Sequence, residues 1–133
     1  ADLEAIRLAA GPLMNLGDVA RATVPKLTMV SAPEAGGAVS TRTFIPHRCH
    51  DAIGVLGAVS VATACLLDGS PAAEVCTAPA ATGPGVSPPI VIEHPTGDFD
   101  CVFELDASGS IVKAGVLRTA RKLFDGLVDA VVR

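Results

Sequence analysis

The sequence predicts an α+β domain in which a curved, mostly antiparallel, barrel-like sheet wraps around one buried central helix. Three observations carry this expectation. From Ala52 to Leu67, sixteen residues (AIGVLGAVSVATACLL) contain no charge, and a helix that is apolar all round is buried on every side. The segments flanking it are β-branched or alternating in short runs bounded by turn residues, as strands are. Half of the chain is apolar, built on 22 Ala and 16 Val beside 4 Phe, with no Tyr or Trp. Such a core of small and β-branched residues suffices, because a domain of this size buries roughly 68–70% of its unfolded surface.

The elements follow in order. Asp2 to Met14 reads as an amphipathic helix, with Asp2 and Glu4 favouring its N-terminus and Leu3, Ile6, Ala10 and Leu13 near one face. Gly11-Pro12 should kink it and Gly17-Asp18 should end it. Lys26–Ser31 and Ala38–Phe44 form an antiparallel hairpin across the turn Pro33–Gly37. In the central helix Gly54, Gly57, Ala58, Ala62 and Ala64 keep the surface thin, so neighbouring backbone can approach closely. Ala73–Cys76 is a short strand candidate, and Thr77–Pro89, with four Pro and two Gly, is a loop. Ile90–His94 and Phe99–Leu105 pair across Pro95–Asp98. After the turn Asp106–Ser110, Ile111–Arg118 is a strand, Leu117–Arg121 lies between strand and helix, and Val128–Val132 closes the chain. No internal repeat is visible.

Several classes are excluded. Ten basic against fourteen acidic residues give a net charge of −4, and with so few aromatic residues this argues against a nucleic-acid partner. The charge-free run is shorter than the roughly 20 residues that span a bilayer, and Gly, Ser and Thr dilute it. Cys49, Cys65, Cys76 and Cys101 show no paired spacing. Counting admits two disulfides, but Cys65 sits within the apolar helical run, which favours reduced thiols in a cytoplasm. No signal peptide is expected, and an Ala-Asp-Leu start without Met reads as processing, design or truncation.

The peptide Pro46-His47-Arg48-Cys49-His50-Asp51 stands just before the helical run. The first N–H groups of a helix lack acceptors and carry partial positive charge, so an anionic substrate group can dock there beside Arg48 or an imidazole. A thiol at that position would have a lowered pKa, suited to taking a proton from carbon or to nucleophilic attack. The plainer alternative is that Asp51 or Cys49 caps the helix while His47 and His50 are solvated. Metal binding is not expected, because His47, Cys49 and His50 are too close in sequence to converge on one ion unless distant His94 joins. Gly54-x-x-Gly57 lies within the helix and is no dinucleotide fingerprint. His94 and Gly97, in Glu93-His94-Pro95-Thr96-Gly97, could face a ligand or simply build the turn. Arg118, Arg121 and Lys122 read by default as a solvated basic face.

Taken together, PHRCHDAIGVLGAVSVATACLLDGSPAAEV, IVIEHPTGDFDCVFEL and VLRTARKLFDG resemble the C-terminal half of the PrpF-type isomerases. That family includes methylaconitate isomerase and 4-oxalomesaconate tautomerase, and LEAIRLAAGPLMNLGDVA followed by KLTMVSAPEAGG looks closest to the latter group. The resemblance implies a diaminopimelate epimerase-like fold of two similar domains, with the active site between them. Residues 1–20 would be an interdomain helix and linker, and residues 21–133 the C-terminal barrel domain. The N-terminal domain, which holds the family's proposed lysine and cysteine acid/base residues, would be absent from this chain.

The resemblance further implies cofactor-free proton transfer at carbon, moving a double bond in an unsaturated tricarboxylate or keto-tricarboxylate. Cys49 would then be an acid/base or a pocket residue, with His47, Arg48, His50, His94 and Gly97 binding substrate. The implied partners are a small carboxylate, the enzyme's own N-terminal domain and, as an option, a second copy in a homodimer. Two other readings remain: a single-domain anion-binding module without catalysis, and an epimerase or racemase relative in which Cys49 exchanges a proton.

Overall fold

The computed structural model describes residues 2–78 and 83–127. It contains three helices, α1 (Asp2–Leu13), α2 (Val55–Cys65) and α3 (Pro71–Val75), among the described residues. The strands are β1 (Leu27–Ser31), β2 (Val39–Ile45), β3 (Arg48–Cys49), β4 (Gly85–Val86), β5 (Ile90–His94), β6 (Gly97–Leu105) and β7 (Ile111–Val116). All seven join one sheet of order β1-β2-β5-β6-β4, with β3 beside β2 and β7 beside β6. Every pairing is antiparallel except β2 with β5. The expected α+β class and the mostly antiparallel sheet are thus observed.

Alternation decides which face of each strand is buried. On β6, Phe99, Cys101, Phe103 and Leu105 point into the core, and Asp100, Val102 and Glu104 point away. Ile90 and Ile92 of β5 and Val39 of β2 extend that core face, and Ala58, Val61 and Ala62 of α2 pack onto it. Ala58 and Ala62 are fully buried, so their small side chains set how closely α2 lies on the sheet.

The central helix is not buried on every side. It begins at Val55 rather than Ala52, and Val55 is 52% and Leu56 81% exposed. The sheet covers only the side of α2 that meets β5, β6 and β7, while α3 packs nearby. The other side opens on a groove of about 850 Å³.

Three further elements differ from expectation. The expected strand at Ala73–Cys76 is the helix α3. Ser70 accepts a hydrogen bond from the Ala73 N–H (3.0 Å), and Pro71 occupies the first helical turn, a start signal stronger than the β propensity of Val75. A short strand, β4, lies in the expected loop 77–89. Residues 117–121 form neither helix nor strand, and the expected element Val128–Val132 lies outside the described residues.

In α1 the expected apolar face is not the buried one, since Ile6 and Leu13 are exposed and Arg7 and Gly11 are buried. Arg7 reaches the carbonyls of Val19 (2.9 Å), Ala22 (3.3 Å) and Val24 (2.7 Å) and pairs with Glu4 (2.8 Å). One cation thereby fastens the returning chain to the helix. The helix ends at Leu13, not at Gly17-Asp18. Asn15 takes the left-handed conformation (φ 58°), and the Leu16 N–H closes on the Gly11 carbonyl at 3.0 Å.

Candidate functional site

Because β2 and β5 run parallel, both finish at the same end of the sheet. There β2 turns at Pro46-His47 into β3, with Ile45 opposite Arg48 and Phe44 opposite Cys49. Close by, β5 turns into β6 with His94 opposite Gly97. The Thr96 hydroxyl joins the two turns by donating to the Asp51 carbonyl at 2.7 Å. The chain then enters α2. The two segments singled out from sequence therefore meet at one end of the fold.

They do not share one cavity. His50 lines the large groove together with Gly54, Val55, Leu56 and Gly57. His94 and Gly97 line a smaller cleft of about 420 Å³ with Arg42, Glu93 and Asp98. His47, Arg48 and Cys49 are exposed on the hairpin and line neither. The capping alternative also fails. The N-cap is Gly54, in extended backbone (φ −75°, ψ 153°) and with no side-chain hydrogen bond. Residues 50–53 separate Cys49 from the helix start, and the Cys49 thiol donates weakly to the His50 carbonyl at 3.5 Å.

What α2 offers the groove is an uncapped N-terminus. Its first intrahelical bond runs from the Ala58 N–H to the Gly54 carbonyl (2.9 Å), so the N–H groups of Val55, Leu56 and Gly57 lack helical acceptors. The His50 Nδ1 accepts the Ala52 N–H at 2.9 Å. In the neutral ring the proton then resides on Nε2, which is left as a donor. Val24, Pro25, Val55 and Leu56 supply apolar walls, while Thr28 and Thr43 bond to each other at 3.0 Å. A carboxylate on a short carbon skeleton matches this combination of donors and walls.

His94 is tied into its own turn. Its Nδ1 accepts the Thr96 N–H (3.3 Å), which leaves Nε2 to donate to the Asp98 carbonyl (3.2 Å). Gly97 has φ 150°. Both residues thus build the turn that anchors Asp51.

Of the other thiols, burial pushes Cys65 up to about 12, helped by the neighbouring Cys76 thiol, and pushes Cys101 up to about 11. Neither is a nucleophile near neutral pH. All four cysteines are free. Among the described residues no three His, Cys, Asp or Glu side chains gather as a metal site, and no helix is long and apolar enough to cross a membrane.

Sequence reasoning missed Glu93 as a structural group. Its buried carboxylate accepts the N–H groups of Glu34 (2.8 Å), Ala35 (2.7 Å) and Gly37 (2.7 Å), shaping the turn that faces the smaller cleft. These N–H groups, that of Glu34 foremost, hold its carboxyl below the usual carboxylate range. A depressed pKa stabilises the fold above the unfolded value, about 4.3 for Glu, and that contribution is lost as pH falls through the folded value. Glu93→Gln should therefore lower the urea midpoint most at pH 7, with the gap to the wild type narrowing below about pH 4. A gap independent of pH would mean that the charge of Glu93 does not hold the turn.

The family model of the PrpF protein matches residues 1–131. The chain belongs to the PrpF family. It is 60% identical to the (4E)-oxalomesaconate Delta-isomerase of Novosphingobium sp. over 128 residues, covering 96% of this chain and 35% of that protein. It is 55% identical to the 4-oxalomesaconate tautomerase of Pseudomonas putida over 126 residues, covering 95% of this chain and 34% of that protein. This PrpF chain thus spans about a third of the length of the curated relatives it matches. The crystal structure of methylitaconate-delta-isomerase superposes with a TM-score of 0.64 at 14% identity, covering 86% of this chain and 36% of that one. That likeness shows the fold alone, the diaminopimelate epimerase-like fold that the resemblance implied.

Proposed function

We propose that this PrpF chain is the C-terminal portion of a cofactor-independent isomerase or tautomerase. The enzyme shifts a double bond in an unsaturated keto-tricarboxylate such as 4-oxalomesaconate by moving a proton between carbons. The observation that carries this reading is the 60% identity to an oxalomesaconate isomerase across nearly the whole chain, and the uncapped start of α2 fits it. A substrate carboxylate accepts from the Val55–Gly57 N–H groups and from His50. When the neighbouring carbon loses its proton, negative charge spreads onto that carboxylate, and donors already aimed at it stabilise the developing charge. Residues 1–20 act as the interdomain segment. A first domain, from the length that this chain does not span, closes the exposed face of α2 and brings the acid/base pair. The partners in this reading are a small carboxylate and that domain, and the compartment is the cytoplasm.

The full-length enzyme should convert 4-oxalomesaconate, followed by the ultraviolet absorbance of its conjugated system. Cys49→Ser should keep kcat within about tenfold, because a true acid/base contributes about 10²–10⁴-fold. His50→Ala should raise KM more than it lowers kcat, whereas Arg48→Ala, at an exposed position on the hairpin, should change either constant little. Absence of turnover in the wild-type enzyme would defeat the proposal. A collapse of kcat in Cys49→Ser at unchanged KM would instead favour the epimerase-like use of that thiol.

A further inference from the structure

Residues 50–52 carry the chain from β3 towards α2, and they are tied down at three points. The His50 N–H donates to the Thr43 carbonyl of β2 at 2.7 Å. The Asp51 carbonyl accepts the Thr96 hydroxyl at 2.7 Å, and the Ala52 N–H donates to the His50 Nδ1 at 2.9 Å. The last two bonds share one peptide group, because the Asp51 carbonyl and the Ala52 N–H belong to the same planar amide. Thr96 therefore grips one edge of a plane whose other edge grips the His50 ring.

Such a chain is cooperative: a donor on the carbonyl polarises the amide and makes its N–H the stronger donor. The hydrogen bond at one ring nitrogen decides where a neutral imidazole carries its proton. With Nδ1 taken by the Ala52 N–H, the proton of His50 belongs on Nε2. That nitrogen has no hydrogen-bond partner among the described residues, and the ring lines the groove at the start of α2. Thr96 is fixed in turn by its own loop, its N–H reaching the His94 Nδ1 (3.3 Å) while the His94 Nε2 donates to the Asp98 carbonyl (3.2 Å). The Thr96 hydroxyl is 3.4 Å from the same His94 nitrogen but 2.7 Å from the Asp51 carbonyl, so its proton goes to the carbonyl. Thr96 lines neither the groove nor the smaller cleft. Its route to a ligand in the groove runs through the peptide.

We propose that Thr96 is a positioning residue: by gripping the Asp51–Ala52 peptide it sets the tautomer of His50, so that Nε2–H is presented to an oxygen of the ligand in the groove. This rests on the docking of a carboxylate beside His50 and deepens it by naming the group that prepares the donor.

The test uses the full-length enzyme, with nitrogen NMR of isotopically labelled histidine rings and kinetics on 4-oxalomesaconate. His50→Ala identifies the His50 signals by their loss. In the wild type these signals should show Nε2 protonated and Nδ1 as the acceptor. Thr96→Val keeps the shape of the side chain and removes the hydroxyl, and because Thr96 is exposed the fold should persist. It should mix in the other tautomer and raise KM by about three- to tenfold, the worth of one hydrogen bond, with kcat less affected. Thr96→Ser should restore both. If Thr96→Val matches an active wild type in tautomer and in KM, this inference falls alone. A rise in KM at unchanged tautomer overturns it as well, and so does a change of tautomer at unchanged KM. If the wild type does not turn over, the functional reading falls and takes the substrate role of His50 with it.

Discussion

In the full-length enzyme, Gly54→Asp is expected to make the fold slightly more stable and to lower kcat/KM at least about 100-fold, a like-charge penalty of several kcal/mol. The two effects share one cause. Gly54 occupies the N-cap of α2 in extended backbone that any residue adopts, and a side chain there would meet nothing within 4 Å. An aspartate would turn its carboxylate onto the N–H groups of Leu56 or Gly57, gaining about 0.3–1 kcal/mol from the cap and the helix dipole. The same carboxylate would occupy the donors meant for substrate. Gly54→Asn is the matched control, since it caps without charge and should lose less activity. Calorimetry and steady-state kinetics on the three proteins decide the matter. If Gly54→Asp retains wild-type kcat/KM, the substrate does not dock at the start of α2.

What was legible in the sequence was legible because period-two alternation writes the buried face directly into a strand. Alternation and β-branching give β5 its observed bounds, Ile90–His94, and give the strands of the β1–β2 hairpin to within a residue at each end. The start of α2 was not legible: Ala52, Ile53 and Gly54 continue the apolar run, and with no charge on any side, periodicity gives no edge. Ile53 is buried, but from the non-helical segment ahead of α2. The inference of all-round burial also assumed that one chain covers every apolar face it carries. Leu56, 81% exposed, shows that these described residues do not.

For the site, sequence picked out both contributing turns but not their meeting, because the Thr96–Asp51 hydrogen bond joins residues 45 positions apart. The same holds for Glu93 and Arg7, whose partners are backbone groups far along the chain and leave no local pattern. Chemistry-bearing residue types alone suggest Cys49 at the helix start. Backbone pairing in β3 moves it onto an exposed hairpin and leaves His50 to face the groove.

Phe103→Ala should be the most damaging single truncation in the core, destabilising the chain by about 3–5 kcal/mol. With no Tyr or Trp and only 4 Phe, large side chains are scarce. Phe103, 1% exposed, is the largest apolar side chain among those fully buried. The core cluster it belongs to is otherwise made mostly of small or β-branched side chains, Ala58, Ala62 and Val39 among them, which are poorly suited to fill the space it would vacate. The backbone of Phe103 is fastened as well, exchanging hydrogen bonds with Ser87 at 2.7 and 3.0 Å, so the strand cannot shift to close the void. A loss of this size is a large fraction of the 5–15 kcal/mol that holds a typical domain together. Phe124, 69% exposed, is the internal control, and Phe124→Ala should stay within about 0.5 kcal/mol of the parent. Urea midpoints at fixed m-value measure both. If Phe103→Ala behaves like Phe124→Ala, the packing of α2 on β6 is not what stabilises this fold, and the small residues of α2 have another purpose.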